Sequence, residues 1–173
     1  MNRRQFLRRT LAGAFLLSGA VIVGRHVGGY RLDPALSAGL KILSPKEALI
    51  FLVAARRLVA ADGPDAPPLD ELSALRFVDG YLAKLSEPMR DDVKALIMLV
   101  EHGSGVFRGS TKRFTSMSID EQDACLRDWE SSRLVVRRQG FQALKTMALL
   151  AYWRDDRTWV LLGYGGPLVK RPG

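Results

Sequence analysis

Cysteine and histidine are scarce in this chain. Cys125 is the only cysteine among 173 residues, which excludes an internal disulfide, a thiolate metal cluster and a CxxCH haem attachment. The two histidines, His26 and His102, have no partner at a metal-ligand spacing. No GxGxxG motif marks a dinucleotide site. We therefore expect no catalytic residue, no metal site and no cofactor site in this chain.

Positive charge is unevenly distributed along the sequence. The formal net charge is +8, and four arginines precede the first apolar run, so half of that charge lies at the N-terminus. The remainder shows no RNP-like aromatic motif, no zinc-finger spacing and no basic stripe interleaved with aromatic residues. Nucleic acid is therefore not an expected partner.

The N-terminal residues stand in the order of a twin-arginine export signal. Arg3 and Arg4 are adjacent, one spacer follows, and Phe6, Leu7 and Arg8 occupy the next informative positions. A pair of planar guanidinium groups can bind receptor carboxylates through two-pronged hydrogen bonds, which lysines cannot imitate. We therefore expect the twin-arginine translocase to carry this chain, already folded, into the periplasm.

A moderately apolar run over residues 11–23 follows these arginines. As a helix it would rise about 20 Å, which is short of the roughly 30 Å hydrocarbon core of a bilayer. Ser18-Gly19-Ala20 offers small residues to a signal peptidase, with Ala20 as the candidate cleavage position. Because apolar residues continue to Val23, an uncleaved anchor in the inner membrane is the alternative.

The rest of the chain is predicted to be a single all-α domain. No segment alternates apolar and polar residues with period two, whereas apolar residues recur at helical spacing in five segments. Helices are expected at about 45–61, 69–86, 88–103, from 119, and at 133–154, with one more turn around Trp159. We predict a signal segment over 1–24, a linker over 25–43, the helical domain over 44–167 and a tail over 168–173.

Two helix starts and two buried faces are specified most clearly. Ser44-Pro45-Lys46-Glu47 and Ser118-Ile119-Asp120-Glu121 each place a glutamate three residues after an N-cap serine. Residues 48–55 are all apolar, so the first helix is expected to be buried on most sides. The fifth helix is predicted to face the core with one stripe, formed by Leu134, Phe141, Leu144, Ala148 and Tyr152.

Aromatic and arginine side chains are concentrated near the C-terminus, where Tyr152 to Tyr164 span thirteen residues. Tryptophan, tyrosine and arginine are enriched at the energetic centres of protein interfaces. Core packing is the alternative, and it is expected for Tyr152 and one of the tryptophans. The candidate partner interface consists of Trp153, Arg154, Arg157, Trp159 and Tyr164.

Short motifs follow the twin-arginine leader in a characteristic order. They are Leu43-Ser44-Pro45-Lys46-Glu47-Ala48, Phe114 to Gln122, Trp129-Glu130-Ser131-Ser132, Arg137 to Phe141, and Tyr152 to Pro167. In these motifs the chain resembles the small subunit of flavin-dependent sugar and alcohol dehydrogenases, the gluconate 2-dehydrogenase subunit 3 family. The resemblance covers about residues 44–167, and residues 62–112 depart from the family pattern.

That resemblance implies an all-helical accessory subunit without catalytic residues. Its implied partner is a large FAD-containing flavoprotein of the glucose-methanol-choline oxidoreductase class, which lacks a signal of its own and is exported with the small subunit. A cytochrome c is the implied electron acceptor. The alternatives are an independent periplasmic helical enzyme or ligand-binding protein, and a membrane-anchored structural protein that keeps its N-terminal helix.

Overall fold

The computed structural model describes residues 30–59, 66–106 and 111–166. Over these residues the chain forms helices and no strand, which confirms the all-α prediction. A helical turn at Pro34–Ser37 and two 3₁₀ segments, Phe114–Ser116 and Asp156–Leu162, accompany five longer helices. These are α1 (Pro45–Leu58), α2 (Glu71–Ala83), α3 (Glu87–Val106), α4 (Ile119–Glu130) and α5 (Val135–Trp153).

Helix α1 occupies the centre of the domain and contacts each of the other four helices. A helix that is apolar on most faces needs neighbours on most sides, and this arrangement supplies them. The prediction that residues 48–55 are buried is confirmed for Ala48, Ile50, Phe51, Leu52, Ala54 and Ala55. At its end, Arg57 reaches α4 and donates two hydrogen bonds of 2.7 Å to the Asp123 carboxylate.

Both predicted capping boxes are present. The backbone N–H of Glu47 donates to Ser44 Oγ at 3.3 Å, and the Ser44 N–H donates back to the Glu47 carboxylate at 2.8 Å. Ser118 and Glu121 repeat this exchange at the start of α4 with the same two distances. Each box satisfies two backbone donors that a helix start leaves without an intrahelical partner.

Two helix boundaries differ from the sequence expectation. Helix α2 begins at Glu71 because the Asp70 side chain caps it, accepting from the Ser73 N–H at 3.0 Å. Helix α3 continues to Val106, beyond the glycine that was expected to end it. That residue, Gly103, is buried, so packing outweighs a helix penalty of about 1 kcal/mol for glycine.

The predicted core stripe of α5 is correct for four residues and wrong for Leu134. Phe141, Leu144, Ala148 and Tyr152 are buried, whereas Leu134 is half exposed. Leu134 is the N-cap residue of α5 and has an extended backbone, so the helical period does not reach it. The Tyr152 hydroxyl donates to the Pro67 carbonyl at 3.0 Å, which ties α5 to the segment before α2.

Residues 30–43, called the strap below, belong to the segment predicted as a linker. The Asp79 carboxylate of α2 accepts the backbone N–H groups of Lys41, Ile42 and Leu43 at 2.8–2.9 Å. The apolar residues of the strap pack against the core, so its described part is more closely held than a linker. They are Leu32, Leu36, Leu40, Ile42 and Leu43. The domain boundary at residue 44 stays a prediction.

Two of the motifs that carry the family resemblance meet at the corner between α4 and α5. Arg137 is buried, donates to Ser132 Oγ at 3.2 Å and to Asp128 at 2.5 Å, and lies 5.4 Å from the centroid of the Trp129 ring. A Cβ at Gly140 would lie 2.6 Å from a methyl carbon of Leu96. These residues therefore fix how α5 packs against α3 and α4.

Candidate partner-binding site

The C-terminal segment, residues 155–164, folds back on the end of α5. Asp155 caps the 3₁₀ segment by accepting the Arg157 N–H at 3.0 Å, and Gly163 ends it with a φ of 63°, a left-handed conformation that glycine adopts without strain. The Tyr164 N–H then donates to the Trp159 carbonyl at 3.0 Å. The predicted turn around Trp159 is therefore present.

The two C-terminal tryptophans support this segment. Trp153 is half-buried and packs against the core, and its carbonyl accepts the indole N–H of Trp159 at 2.9 Å. The Trp159 ring meets the Tyr164 ring edge-on, with centroids 5.4 Å apart. Both tryptophans thus contribute to the fold of the segment, while Tyr164 is half exposed.

The two candidate arginines differ in their surroundings. Arg157 forms a forked ion pair with Asp155, and hydrogen bonds from Arg157 hold the pKa of the Asp155 carboxyl below its ordinary value. Arg154 is exposed, and its guanidinium lies 4.7 Å from the centroid of the Phe77 ring. Arg154 takes part in no ion pair within the described residues, which leaves it the better donor to an external carboxylate.

An exposed apolar row lies beside these residues and was not part of the sequence prediction. Val160, Leu161 and Leu162 are 78%, 38% and 62% exposed, and Tyr164 is 49% exposed. We call these four residues the C-terminal patch. In the sequence, these residues belong to an unbroken apolar run from Trp159 to Leu162. That run indicates exposure only once it is known to form a short 3₁₀ segment on the surface, which cannot bury all of its faces.

An open, polar groove of about 510 Å³ borders the C-terminal patch. Its carboxylates come from the cap residues of α2 and of the 3₁₀ segment and from the first residue of that segment, and both candidate arginines line it. The lining residues are Asp70, Ser73, Arg154, Asp155, Asp156, Arg157 and Trp159. The structure thus brings Trp153, Arg154, Arg157, Trp159 and Tyr164 into one region of the surface, and their role in binding a partner stays a prediction.

A second polar cluster lies between the strap, α3 and the 3₁₀ segment Phe114–Ser116. Glu101 has no exposed surface and accepts from the Tyr30 hydroxyl at 2.8 Å, from Thr115 Oγ1 at 2.7 Å and from the Thr115 N–H at 3.0 Å. Burial, together with the Glu101 hydrogen bond and charge, raises the pKa of Tyr30 to about 12. Because Glu101 is closed to solvent and satisfied internally, this cluster ties the strap to α3 rather than forming an open site.

Lys46 and Arg113 surround the Tyr30 ring in this cluster. The Lys46 ammonium and the Arg113 guanidinium lie 4.7 and 4.8 Å from the ring centroid. Burial lowers the pKa of Lys46 against the opposing influence of Glu101. The two cations offset the negative charge of the buried Glu101 carboxylate and hold the Tyr30 ring in place at the start of the strap.

Predictions were also made for metal binding, for an N-terminal membrane anchor and for export. In the described ranges, no group of three or more histidine, cysteine or acidic residues is arranged to hold a metal ion. None of the helices described for this chain has the length and apolar character needed to cross a membrane. The export residues Arg3, Arg4, Phe6, Leu7 and Arg8 and the candidate cleavage position Ala20 lie outside the described residues.

Comparison with models of known protein families, with curated proteins and with solved structures finds no match to this chain. Its membership of the gluconate 2-dehydrogenase subunit 3 family therefore stays a prediction from the motifs.

Proposed function

We propose that this chain is a non-catalytic small subunit of a periplasmic FAD-dependent dehydrogenase of the glucose-methanol-choline class, acting on a sugar or an alcohol. Its role is to stabilise the flavoprotein subunit and to escort it through the twin-arginine pathway. The observation that carries the proposal is the C-terminal patch, a set of four exposed side chains next to Trp153 and Trp159. The N-terminal arginine motif and the motif resemblance supply the class of partner.

The C-terminal patch has the properties of a contact surface. Exposed apolar side chains that are contiguous in the chain leave unfavourable hydration in the free protein, and burial against a partner removes it. Trp153 and Trp159 hold the segment through the hydrogen bond between them, so the patch is presented on a supported turn. Such preorganisation lowers the entropic cost of binding.

Export of a folded complex explains why a chain without a cofactor motif would carry a twin-arginine signal. FAD is bound by the large subunit before transport, and the small subunit supplies the leader for both. A cytochrome c accepts the electrons in the periplasm. In this proposal the chain itself holds neither FAD nor haem.

The test is purification of the full-length chain from its native host through a C-terminal affinity tag. We expect a large flavoprotein to co-purify in a fixed ratio, with a flavin absorbance spectrum and dehydrogenase activity, whereas the chain expressed alone shows neither. A co-purifying complex without flavin would reject the proposal. A stoichiometric chromophore in the isolated chain would instead support an independent enzyme or ligand-binding protein that uses the polar groove.

Export is tested separately with the double variant Arg3→Lys and Arg4→Lys. The change keeps the charge and removes the paired guanidinium groups, so we expect neither this chain nor the flavoprotein to reach the periplasm. The matched control is Arg9→Lys, which leaves the pair intact. Normal periplasmic levels of the double variant, measured by cell fractionation, would refute the role of this motif.

A further inference from the structure

The polar groove beside the C-terminal patch has an excess of negative charge. Three aspartates and two arginines line it, which gives a formal charge of −1. The forked ion pair between Arg157 and Asp155 takes up one cation and one anion. The other two aspartates, Asp70 and Asp156, are exposed and form no ion pair with any residue that the structure describes. The groove therefore offers two carboxylates to a further cation.

These two carboxylates act on the same part of the groove. Hydrogen bonds to Asp155 raise the pKa of the Arg157 guanidinium above its ordinary value, and the charges of the two unpaired aspartates add to this effect. Arg154 does not pair with them, since its guanidinium lies 4.7 Å from the centroid of the Phe77 ring. One guanidinium is thus surrounded by three carboxylates, and a second cation beside it would be stabilised by the two that remain.

The described part of the chain ends at the wall of this groove. The Tyr164 N–H donates to the Trp159 carbonyl at 3.0 Å. Gly166 lies against the ring of Trp159, which lines the groove, because a Cβ at Gly166 would be 3.7 Å from a ring carbon. The φ of Gly166 is 101°, a conformation that glycine adopts without strain. Residue 167 therefore begins next to the groove.

The residues that follow are basic and long enough to enter the groove. Residues 167–173 lie outside the described residues, and their sequence has two cations and no acidic side chain. Lys170 and Arg171 follow Gly166 by four and five residues, a reach of roughly 13–18 Å for an extended chain. A tether of this length gives an effective concentration in roughly the millimolar range, which favours these cations over a dilute external ligand.

We propose that residues 167–173 occupy the polar groove of their own chain, with Lys170 and Arg171 paired to the carboxylates of Asp70 and Asp156. The guanidinium of Arg171 can bind a carboxylate through two parallel hydrogen bonds. All four groups are near solvent, so the contact is sensitive to salt. This inference is independent of the proposed function. It gives the groove an occupant from the chain itself, in place of a small ligand.

The test is the mobility of a nitroxide spin label attached to the full-length chain through Gly173→Cys, measured by electron paramagnetic resonance. Cys125 is 1% exposed, so the label reacts at the new cysteine. We expect a slow component in the spectrum at low salt, and its loss in 1 M NaCl, where the Debye length is about 3 Å.

Two pairs of substitutions locate the contact. Asp70→Asn with Asp156→Asn removes both unpaired carboxylates and keeps a capping oxygen for α2, and it should reduce the slow component by at least half. Asp91→Asn with Asp92→Asn makes the same change of charge at exposed positions that do not line the groove, and it should leave the spectrum unchanged. If the first pair lowers the melting temperature, Lys170→Gln with Arg171→Gln tests the same contact from the other side.

Three results would overturn this inference. A label that moves as rapidly with the groove carboxylates intact as without them would show that residues 167–173 do not dock. A slow component that survives both the groove and the tail substitutions would show that they dock elsewhere. A slow component that disappears on dilution would show that they bind a second copy of the chain. None of these results bears on the proposed flavoprotein partner, so the two proposals fail separately.

Discussion

The strap and the C-terminal segment are held to the helical core in opposite ways. The strap turns its leucines inward, and its backbone is bound by the buried Asp79 carboxylate while Tyr30 is bound by the buried Glu101. The 3₁₀ segment Asp156–Leu162 is closed by its own cap and by one indole hydrogen bond, and it turns Val160 and Leu162 outward.

This difference indicates which region contributes to the stability of the free subunit and which contributes to its association with a partner. Without any partner, the strap packs its leucines against the core, and the buried Asp79 carboxylate accepts the backbone N–H groups of residues 41–43. The backbone of the C-terminal segment is held by hydrogen bonds within the subunit, yet the apolar side chains of the segment remain exposed. Substitutions in the strap should therefore lower the free energy of unfolding, and substitutions in the C-terminal patch should lower affinity for the partner.

The largest effect is expected for Asp79→Ala. Three backbone N–H groups lose their acceptor, at roughly 1–3 kcal/mol for each one that stays buried, so we expect the free energy of unfolding to fall by about 3 kcal/mol. Asp79→Asn keeps one acceptor oxygen and should fall between this variant and the wild type. Urea denaturation is the measurement, and equal midpoints for Asp79→Ala and the wild type would contradict the account of the strap.

A matched pair of leucine substitutions contrasts the two regions directly. Leu162→Ser should change the free energy of unfolding by no more than about 0.5 kcal/mol, because Leu162 is 62% exposed. It should weaken binding of the flavoprotein by about tenfold, or about 1.4 kcal/mol. Leu43→Ser in the strap, where the side chain is 4% exposed, should lower the free energy of unfolding and leave the affinity for the flavoprotein unchanged. Melting temperature and binding titration are measured on both, and a shared response would remove the distinction.

Tyr30→Phe should have a smaller effect, about 1 kcal/mol of stability, because one hydrogen bond to Glu101 is lost at a partly exposed position. It should also change the pH dependence. The pKa of Tyr30 is raised from 10.0 to about 12, so the folded chain holds this proton more tightly than the unfolded chain. The resulting stability is present below pH 10.0 and is lost as the pH rises through about 12.

Urea denaturation of the wild type and of Tyr30→Phe at a series of alkaline pH values measures this effect. The difference in stability between the two proteins should shrink as the pH rises toward 12. The comparison isolates Tyr30 from Tyr152, whose pKa is also raised by burial and which both proteins contain. A constant difference over that range would show that the Tyr30 proton is not linked to folding.

The smallest effect is expected for Asp155→Ala. The loss of a cap and of an exposed ion pair with Arg157 should cost about 0.5–1 kcal/mol. Asp155→Asn retains a capping oxygen and removes the ion pair, so it should recover most of this loss. If the two variants are equally destabilised, the ion pair rather than the cap supports the C-terminal segment.

The sequence specified those parts of the fold that depend on near neighbours. The capping boxes at Ser44 and Ser118 and the buried block of α1 were predictable because their partners are three or four residues away, or because the segment is apolar on every face. The strap was not predictable in this way. Asp79 accepts hydrogen bonds from amides 36–38 residues away, and Tyr30 donates to Glu101 across 71 residues. No local sequence pattern predicts either contact.

The candidate site was only partly predictable for a related reason. Composition located the aromatic cluster from Trp153 to Tyr164, because tryptophan, tyrosine and arginine identify contact regions by type. Composition could not tell which of these side chains support the turn and which face solvent. Leucine and valine ordinarily indicate a core, so Val160 and Leu162 were recognisable as surface residues only once the end of α5 was known.

Hydrogen exchange of the free subunit and of its complex with the flavoprotein tests the central claim most directly. The account predicts slow exchange in the strap in both states, since the amides of residues 41–43 are bound by Asp79. It predicts faster exchange over residues 156–164 in the free subunit, where the backbone is near solvent, and strong slowing of the same amides in the complex. Equal exchange of residues 156–164 in the two states would contradict the claim that this segment binds the partner.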